Sequence, residues 1–61
     1  MRGFSLKIER LRRDLTQWDL SRLTDIAPYR INAFERERIE PNADEIERIQ
    51  RVLNVVRPEH P

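Results

Sequence analysis

The sequence predicts an all-α domain, and three observations support this prediction. The 61 residues include a single glycine, Gly3, and no segment alternates apolar and polar residues as a half-buried strand does. Apolar residues recur instead at spacings of three and four, the period of an amphipathic helix. Polar residues typical of helix N-caps divide the chain into short segments. We therefore expect one domain over residues 1–61, with an ordered core at about 5–54 and a frayed tail at 57–61.

The first two predicted helices are defined by their N-caps. Ser5 caps the first helix, which runs to about Arg13. Thr16 caps the second, because Asp19 stands three residues later and completes a capping box. The second helix is expected to end near Thr24.

The third predicted helix follows a tight joint. Asp25 tolerates a left-handed backbone better than most residues, and Pro28 suits the first helical position, where no backbone N–H is needed. The helix runs to about Arg36. Its apolar side has the spacing of one buried face, formed by Ala27, Ile31 and Phe34.

The fourth predicted helix follows a loop at residues 37–41. Asn42 is its N-cap, Glu45 completes a second capping box, and Asn54 is a reasonable end. The apolar faces of the four helices together predict a core of Leu6, Leu11, Leu15, Leu20, Leu23, Ile26, Ile31, Phe34, Ile46, Ile49, Val52 and Leu53.

Composition excludes several classes of function. The absence of cysteine excludes disulfides and cysteine-based metal sites. The single histidine, His60, has no second candidate ligand or base beside it, so neither a metal, a cofactor nor catalysis is expected. No apolar run resembles a signal peptide or a membrane span, which predicts a cytoplasmic protein without a membrane partner.

The net charge is only +1, but it is unevenly distributed. Basic residues dominate positions 1–13, where Glu9 is the only acid. This distribution fits a polyanionic partner, but it also fits an ordinary solvated helix face, which is the interpretation that charge alone favours.

The joint between the second and third helices gives the first indication of function. Two helices joined by a short turn can pack so that the second protrudes, and such a helix can present polar side chains to base edges in a major groove. The exposed face of the third helix would carry Tyr29, Asn32, Ala33 and Arg36, with Arg30 at its flank.

The chain resembles the phage repressor and Cro proteins, also called the XRE family of helix-turn-helix proteins, over about residues 5–54. The resemblance rests on Leu15-Thr16-Gln17 with Leu20, Thr24 and Ile26, on Ile31 with Phe34-Glu35-Arg36, and on Pro41 before a capped helix with Ile46 and Ile49. It implies a compact, lambda-repressor-like bundle of four to five helices. It also implies sequence-specific binding of duplex DNA as a homodimer, in a transcriptional regulator that is more often a repressor than an activator.

Three positions depart from the family pattern. Glycine is usual where Asp25 stands and common where Glu37 stands, and serine or threonine is common where Ala27 stands. Asp25 can still adopt the left-handed conformation, at a cost of about 1 kcal/mol. A carboxylate at Glu37 would be repelled by a DNA backbone, so these changes bear on affinity and docking more than on fold.

Four residues are candidates for contacts with the DNA backbone. In the family the position of Gln17 binds a phosphate, and the indole N–H of Trp18 can reach another. Arg36 and Arg38 would also meet phosphates. The alternatives are a solvated Gln17, plain packing of Trp18, and pairing of the two arginines with Glu35, Glu37 or Glu40.

Four residues of the third helix are candidates for contacts inside the groove. Arg30 can pair with guanine and Asn32 with adenine. Tyr29 can contact a phosphate or a thymine methyl group, and Ala33 can approach a thymine methyl group. The alternative is a solvated helix face with Arg30 in a local ion pair.

The resemblance also implies an ion pair between Arg10 and Glu35, which would tie the first helix to the third. A marginal core and the family habit both favour a homodimer, formed by the fourth helix and the residues after Leu53, with Val55 and Val56 as contacts. A different interpretation remains open. The near-neutral charge and Glu37 favour a protein-interaction module of the same fold, such as an antitoxin or an adaptor.

Overall fold

A computed structural model describes residues 5–58. This part of the chain contains no strand and forms four helices: α1 Leu6–Leu11, α2 Gln17–Thr24, α3 Pro28–Glu35 and α4 Ala43–Val55. The prediction of an all-α bundle is therefore confirmed. His60 and most of the predicted frayed tail lie outside the described residues.

All three predicted N-caps are present. The Ser5 hydroxyl accepts a hydrogen bond at 3.2 Å from the backbone N–H three residues later. Thr16 and Asp19 form a complete capping box, with two reciprocal hydrogen bonds of 3.0 and 2.9 Å. Asn42 and Glu45 form a second one, at 2.8 and 3.0 Å. These hydrogen bonds satisfy backbone donors that a helix N-terminus leaves unpaired, so they fix where each helix begins.

The helix ends differ slightly from the predicted ones. The first helix ends at Leu11 instead of Arg13, because Asp14 adopts a left-handed backbone with φ of 55°. Its N–H then donates to the Leu11 carbonyl at 3.1 Å, which terminates the helix. At the other end of the chain, α4 continues past Asn54 to Val55.

The core is formed by one side of each helix. Leu20, Ile31 and Ile49 are fully buried and come from α2, α3 and α4. Among residues 5–58, the buried core cluster consists of Leu6, Leu20, Ile26, Ile31, Phe34, Ile49 and Leu53.

Two predicted core residues were placed wrongly. Leu11 is 53% exposed and Leu23 is 48% exposed. On α1 the inward position is taken by Arg10, which is 7% exposed. On α2 the inward side is formed by Leu20 together with two small polar residues, Ser21 and Thr24, and at about 100° per residue this leaves Leu23 on the flank. Leu15, Ile46 and Val52 are only half-buried.

The joint between α2 and α3 is held by backbone geometry and by one buried hydroxyl. Asp25 is left-handed, with φ of 58° and ψ of 35°, as the turn requires. The Ser21 carbonyl accepts from the Ile26 N–H at 3.2 Å, and the Ser21 hydroxyl donates to the Ile26 carbonyl at 2.5 Å. Pro28 then starts α3, whose N-cap, Ala27, provides no side-chain hydrogen bond.

Candidate nucleic-acid interface

The outward face of α3 presents the expected side chains. Ile31 and Phe34 point into the core, so the opposite side of the helix faces solvent. Tyr29 is 73% exposed, and Asn32 and Ala33 are half-buried beside it. This helix therefore offers a hydroxyl, an amide and a methyl group on one surface.

The expected ion pair between Arg10 and Glu35 ties α1 to α3. Arg10 Nε donates to Glu35 Oε2 at 2.6 Å and Arg10 Nη2 donates to Oε1 at 3.1 Å. The two side chains are 9% and 3% exposed. Arg10 Nη1 also donates to the Leu15 carbonyl at 2.8 Å. Both charges are thus almost removed from water, and each is held by more than one hydrogen bond.

Gln17, the first residue of α2, is bound at both ends of its amide group. Its Nε2 donates to Glu35 Oε1 at 3.0 Å, and its Oε1 accepts a longer hydrogen bond, 3.5 Å, from Asn32 Nδ2. Gln17 is therefore part of a network that reaches from the buried ion pair to the surface of α3. The simple solvated residue considered from sequence is not what the structure contains.

Arg30 forms an ion pair with Glu45 of α4. Its Nε and Nη2 donate to the two carboxylate oxygens of Glu45 at 2.7 and 2.8 Å, and its guanidinium lies 5.3 Å from the centre of the Phe34 ring. Hydrogen bonds from Arg30 lower the pKa of Glu45, and the same pair raises the pKa of Arg30. The local ion pair left open from sequence is thus present, while a contact between Arg30 and a base stays a prediction.

Three further candidates are open to solvent. Trp18 is 74% exposed, so the alternative of plain packing is wrong. Arg36 and Arg38 are exposed, and neither forms an ion pair with a carboxylate in the part of the chain that the structure describes. Of the other arginines in residues 5–58, all but Arg57 are paired with a carboxylate.

Residues 5–58 contain neither a membrane-spanning helix nor a metal-binding cluster of side chains. No helix there is both long and apolar enough to cross a membrane. No group of three or more histidine, cysteine, aspartate or glutamate residues there has an arrangement that could hold a metal ion.

Comparison with known proteins agrees with this geometry. A family model described as helix-turn-helix matches residues 6–60, almost the whole chain. The chain belongs to the helix-turn-helix family of the XRE type. This is a family of DNA-binding transcription regulators. No curated protein and no solved structure matches the chain significantly.

The two positions at which the helix-turn-helix family commonly has glycine are both left-handed here. Asp25 and Glu37 each have φ of 58°, in the region that glycine adopts without steric cost. The turn after α3 still satisfies a carbonyl at the C-terminal end of the helix, because the N–H of Arg38 donates to the Ala33 carbonyl at 2.9 Å. Both residues therefore adopt a conformation that glycine favours, and each presents a carboxylate side chain where glycine has none.

The structural role of Arg13 was not predicted from the sequence. Its Nε donates to the carbonyls of Leu53 and Val56 at 3.1 and 2.6 Å, and its Nη1 donates to the Glu9 carbonyl at 2.7 Å. It thereby satisfies carbonyls at the end of α4 and within α1, which have no helical partner of their own. A basic residue after a helix is a weak signal for such a cap. The local sequence also gives no indication of a partner that lies 40 residues away.

Proposed function

We propose that this protein binds duplex DNA in a sequence-specific manner as a homodimer, and that it acts in the cytoplasm as a transcriptional repressor and not as an enzyme. One observation carries the proposal. The outward face of α3 carries the exposed Tyr29 beside Asn32 and Ala33, and it is followed by two exposed arginines, Arg36 and Arg38, without carboxylate partners in the described chain. An α-helix with such a face fits a major groove, and the arginines fit the adjoining phosphates.

The backbone contacts in this proposal come from two places. Arg36 and Arg38 follow α3 and contact phosphates of one DNA strand. Gln17 and Trp18 stand at the N-terminal end of α2, where the helix dipole favours an anion. The Trp18 side chain, which carries an indole N–H, belongs to a residue that is 74% exposed, and Gln17 Nε2 keeps a second proton after its hydrogen bond to Glu35. These contacts position the protein without reading sequence.

The base contacts come from the first two turns of α3. Asn32 is the adenine reader, and Tyr29 and Ala33 provide surface for thymine methyl groups. Arg30 holds Glu45 through Nε and Nη2, which leaves Nη1 for the DNA. A bidentate contact with guanine would therefore require Arg30 to leave Glu45.

Dimerisation is proposed through the C-terminal end of α4 and the residues that follow it. Val55 is 76% exposed, and a second copy would remove this apolar side chain from water. Two copies would place their α3 helices in successive major grooves, about 34 Å apart. Repression then follows from occupancy of a site that a polymerase or an activator needs.

The test starts from DNA sites selected by the protein out of random duplexes. Titrations at several salt concentrations should show affinity falling with salt, because bound phosphates release counterions. Arg36→Ala and Arg38→Ala should each weaken binding to selected and scrambled duplexes alike and reduce the salt slope by about one.

Arg51→Ala is the matched control. Arg51 is exposed on α4, 69% by side chain, and pairs with Glu47, so its removal should leave the salt slope unchanged. If neither Arg36 nor Arg38 affects binding to any duplex, the DNA-binding proposal fails.

A second candidate is a protein-interaction module of the same fold. Ile8 and Leu11 are 57% and 53% exposed on α1, which is a surface suited to an apolar partner. The exposed carboxylate of Glu37 also disfavours DNA at one edge of the proposed interface. This candidate takes precedence if the protein fails to bind duplex DNA at low salt.

A further inference from the structure

The side of α1 that points away from the core carries two apolar side chains. Leu6 and Arg10 lie on the buried side of this helix. An α-helix turns by about 100° per residue, so Ile8 and Leu11 fall on the opposite side, where they are 57% and 53% exposed. Residues three apart are neighbours on a helix surface. These two apolar side chains therefore form one continuous surface in contact with water.

A cation stands on each side of this apolar surface. By the same rotation per residue, Lys7 lies beside Leu11 and Arg12 lies beside Ile8; Arg12 keeps a helical backbone as the C-cap. Lys7 is exposed and forms no ion pair in the part of the chain that the structure describes. We call Lys7, Ile8, Leu11 and Arg12 the α1 patch.

The single acidic residue of α1 does little to neutralise the patch. Glu9 lies on another flank of the helix, where it accepts a hydrogen bond of 2.9 Å from Arg13. This hydrogen bond is the first cause of the lowered pKa of Glu9. Arg12, whose side chain is 51% exposed, reaches the same carboxylate only at 3.4 Å. Within the described chain, the two cations of the patch thus share one long contact with a carboxylate.

We propose that the α1 patch is a docking surface for an acidic amphipathic helix of another protein. The apolar side chains of such a helix would remove Ile8 and Leu11 from water, and its carboxylates would pair with Lys7 and Arg12. Helices recognise one another in this way, through apolar residues three and four apart with charged residues beside them.

The patch is separate from the proposed DNA-binding surface. Arg10, on the opposite side of α1, holds Glu35 of α3 through two hydrogen bonds, so the patch faces away from α3. The inference therefore adds a protein partner and its chemistry, and it does not depend on whether α3 binds DNA.

Charge disfavours an occupant from this chain itself. Two α1 patches in contact would place cations against cations. The exposed acids of α4 on a second copy are Asp44 and Glu47, which are paired with Arg48 and Arg51 on the same helix, so that helix offers no excess of negative charge. Residues 1–4 contain no acidic residue. The complementary acids must therefore come from a different protein.

Lipid and nucleic acid each fit only half of the patch. Helices that lie in a membrane interface insert a large apolar face, whereas α1 has six residues and only Ile8 and Leu11 are apolar in the patch. A nucleic acid would pair with Lys7 and Arg12 but would leave the apolar side chains against a polyanion. An acidic amphipathic helix satisfies the apolar and the charged half together.

The probe for this proposal is a synthetic helical peptide with leucine at every third and fourth position and glutamate beside the leucines. Titrated into the isotope-labelled protein, it should shift the NMR amide signals of α1 and leave those of Tyr29 and Ala33 on α3 in place. Ile8→Ala and Leu11→Ala should each weaken binding of the peptide by about tenfold. Lys7→Glu should weaken it by about fivefold, because one attraction becomes a repulsion.

Two variants and one peptide are matched controls. Leu23→Ala removes an apolar side chain that is 48% exposed on α2. Arg51→Glu makes the same change of charge as Lys7→Glu, but on α4. Each should leave the affinity for the peptide within about twofold, since charges far from the patch are screened by salt. A second peptide, with lysine in place of glutamate, should bind at least about fivefold more weakly. Circular dichroism establishes that each variant is folded.

Several results would overturn the proposal. It fails if the peptide does not bind at millimolar concentration, if Ile8→Ala and Lys7→Glu leave its affinity unchanged, or if the lysine peptide binds equally well. Vesicles of phosphatidylserine and phosphatidylcholine that bind through Ile8 and Leu11, in the absence of peptide binding, would identify a lipid surface instead. Amide signals of α1 that shift with protein concentration alone would identify a second copy. Failure to bind duplex DNA would refute the proposed function and leave this proposal standing.

Discussion

Separating the two charges of the Arg10–Glu35 pair should reveal how far the fold depends on it. Both side chains are more than nine-tenths buried, and they share two hydrogen bonds of 2.6 and 3.1 Å. Removing one partner leaves the other charge buried and uncompensated, which costs about 3–5 kcal/mol. A domain of 61 residues has a total unfolding free energy of about 3–9 kcal/mol. We therefore expect Arg10→Met to lose a large part of the stability, and Glu35→Gln to lose somewhat less, because glutamine can still accept one hydrogen bond from Arg10.

The double variant is decisive, because it removes the isolated charge as well as the pair. Its loss should be smaller than the sum of the two single losses, with a coupling of about 0.5–3 kcal/mol. Urea unfolding followed by circular dichroism gives the three free energies. Losses that add to within about 0.5 kcal/mol would refute the pairing. Variants too unstable for urea titration can be compared through their thermal midpoints.

Three further predictions concern other parts of the molecule. Val55→Glu should convert the proposed homodimer into a monomer in sedimentation equilibrium, and a wild type that is monomeric at high micromolar concentration, both free and on DNA, would contradict the dimer. The pKa of Glu45 is lowered, first of all by hydrogen bonds from Arg30. Ionised Glu45 therefore stabilises the fold at a pH above its ordinary pKa of 4.5. This stabilisation is lost as the pH falls through the lower pKa of Glu45 in the folded state. The difference in urea midpoint between wild type and Glu45→Gln should therefore shrink as pH falls from about 6 to 3, and a constant difference would exclude this contribution. Glu37→Gly should raise the unfolding free energy by about 0.5–1 kcal/mol, because relief of the left-handed strain exceeds the entropy gained by the unfolded chain; an unchanged urea midpoint would show that Glu37 is not strained.

Apart from the Arg10–Glu35 pair, which the family resemblance implied, the features predicted correctly from sequence are local ones. Both capping boxes join residues that are three apart in sequence, namely Thr16 with Asp19 and Asn42 with Glu45. A short segment of the chain is therefore enough to predict each cap. The left-handed turn at Asp25 has the same property. The inward face of α4 was predicted through Ile49 and Leu53, because a strongly amphipathic helix has a single way to cover its apolar side.

The features that sequence did not predict depend on partners far along the chain. Leu11 was expected in the core, but the inward position of α1 belongs to Arg10, whose partner Glu35 makes burial of the guanidinium favourable. Arg30 was expected at the DNA, and its contact with Glu45 depends on how α3 and α4 pack. The hydrogen bonds of Gln17 depend on how α2 packs against α3, since both of its partners lie on α3. Residue type indicated which side chains could bind DNA. It did not show which of them already form hydrogen bonds or ion pairs within the fold.

The cap made by Arg13 has a consequence for the order in which the molecule assembles. A helix of six residues, such as α1, is too short to persist by itself in water. Its attachments include Arg10 on α3 and Arg13 on the carbonyls of Leu53 and Val56. During synthesis α1 leaves the ribosome before α4, so Arg13 cannot bind the carbonyls of Leu53 and Val56 until α4 has also been made. We therefore expect α1 to dock last and to open first, and its amides should exchange with solvent faster than those of α2 and α3 in the same native protein.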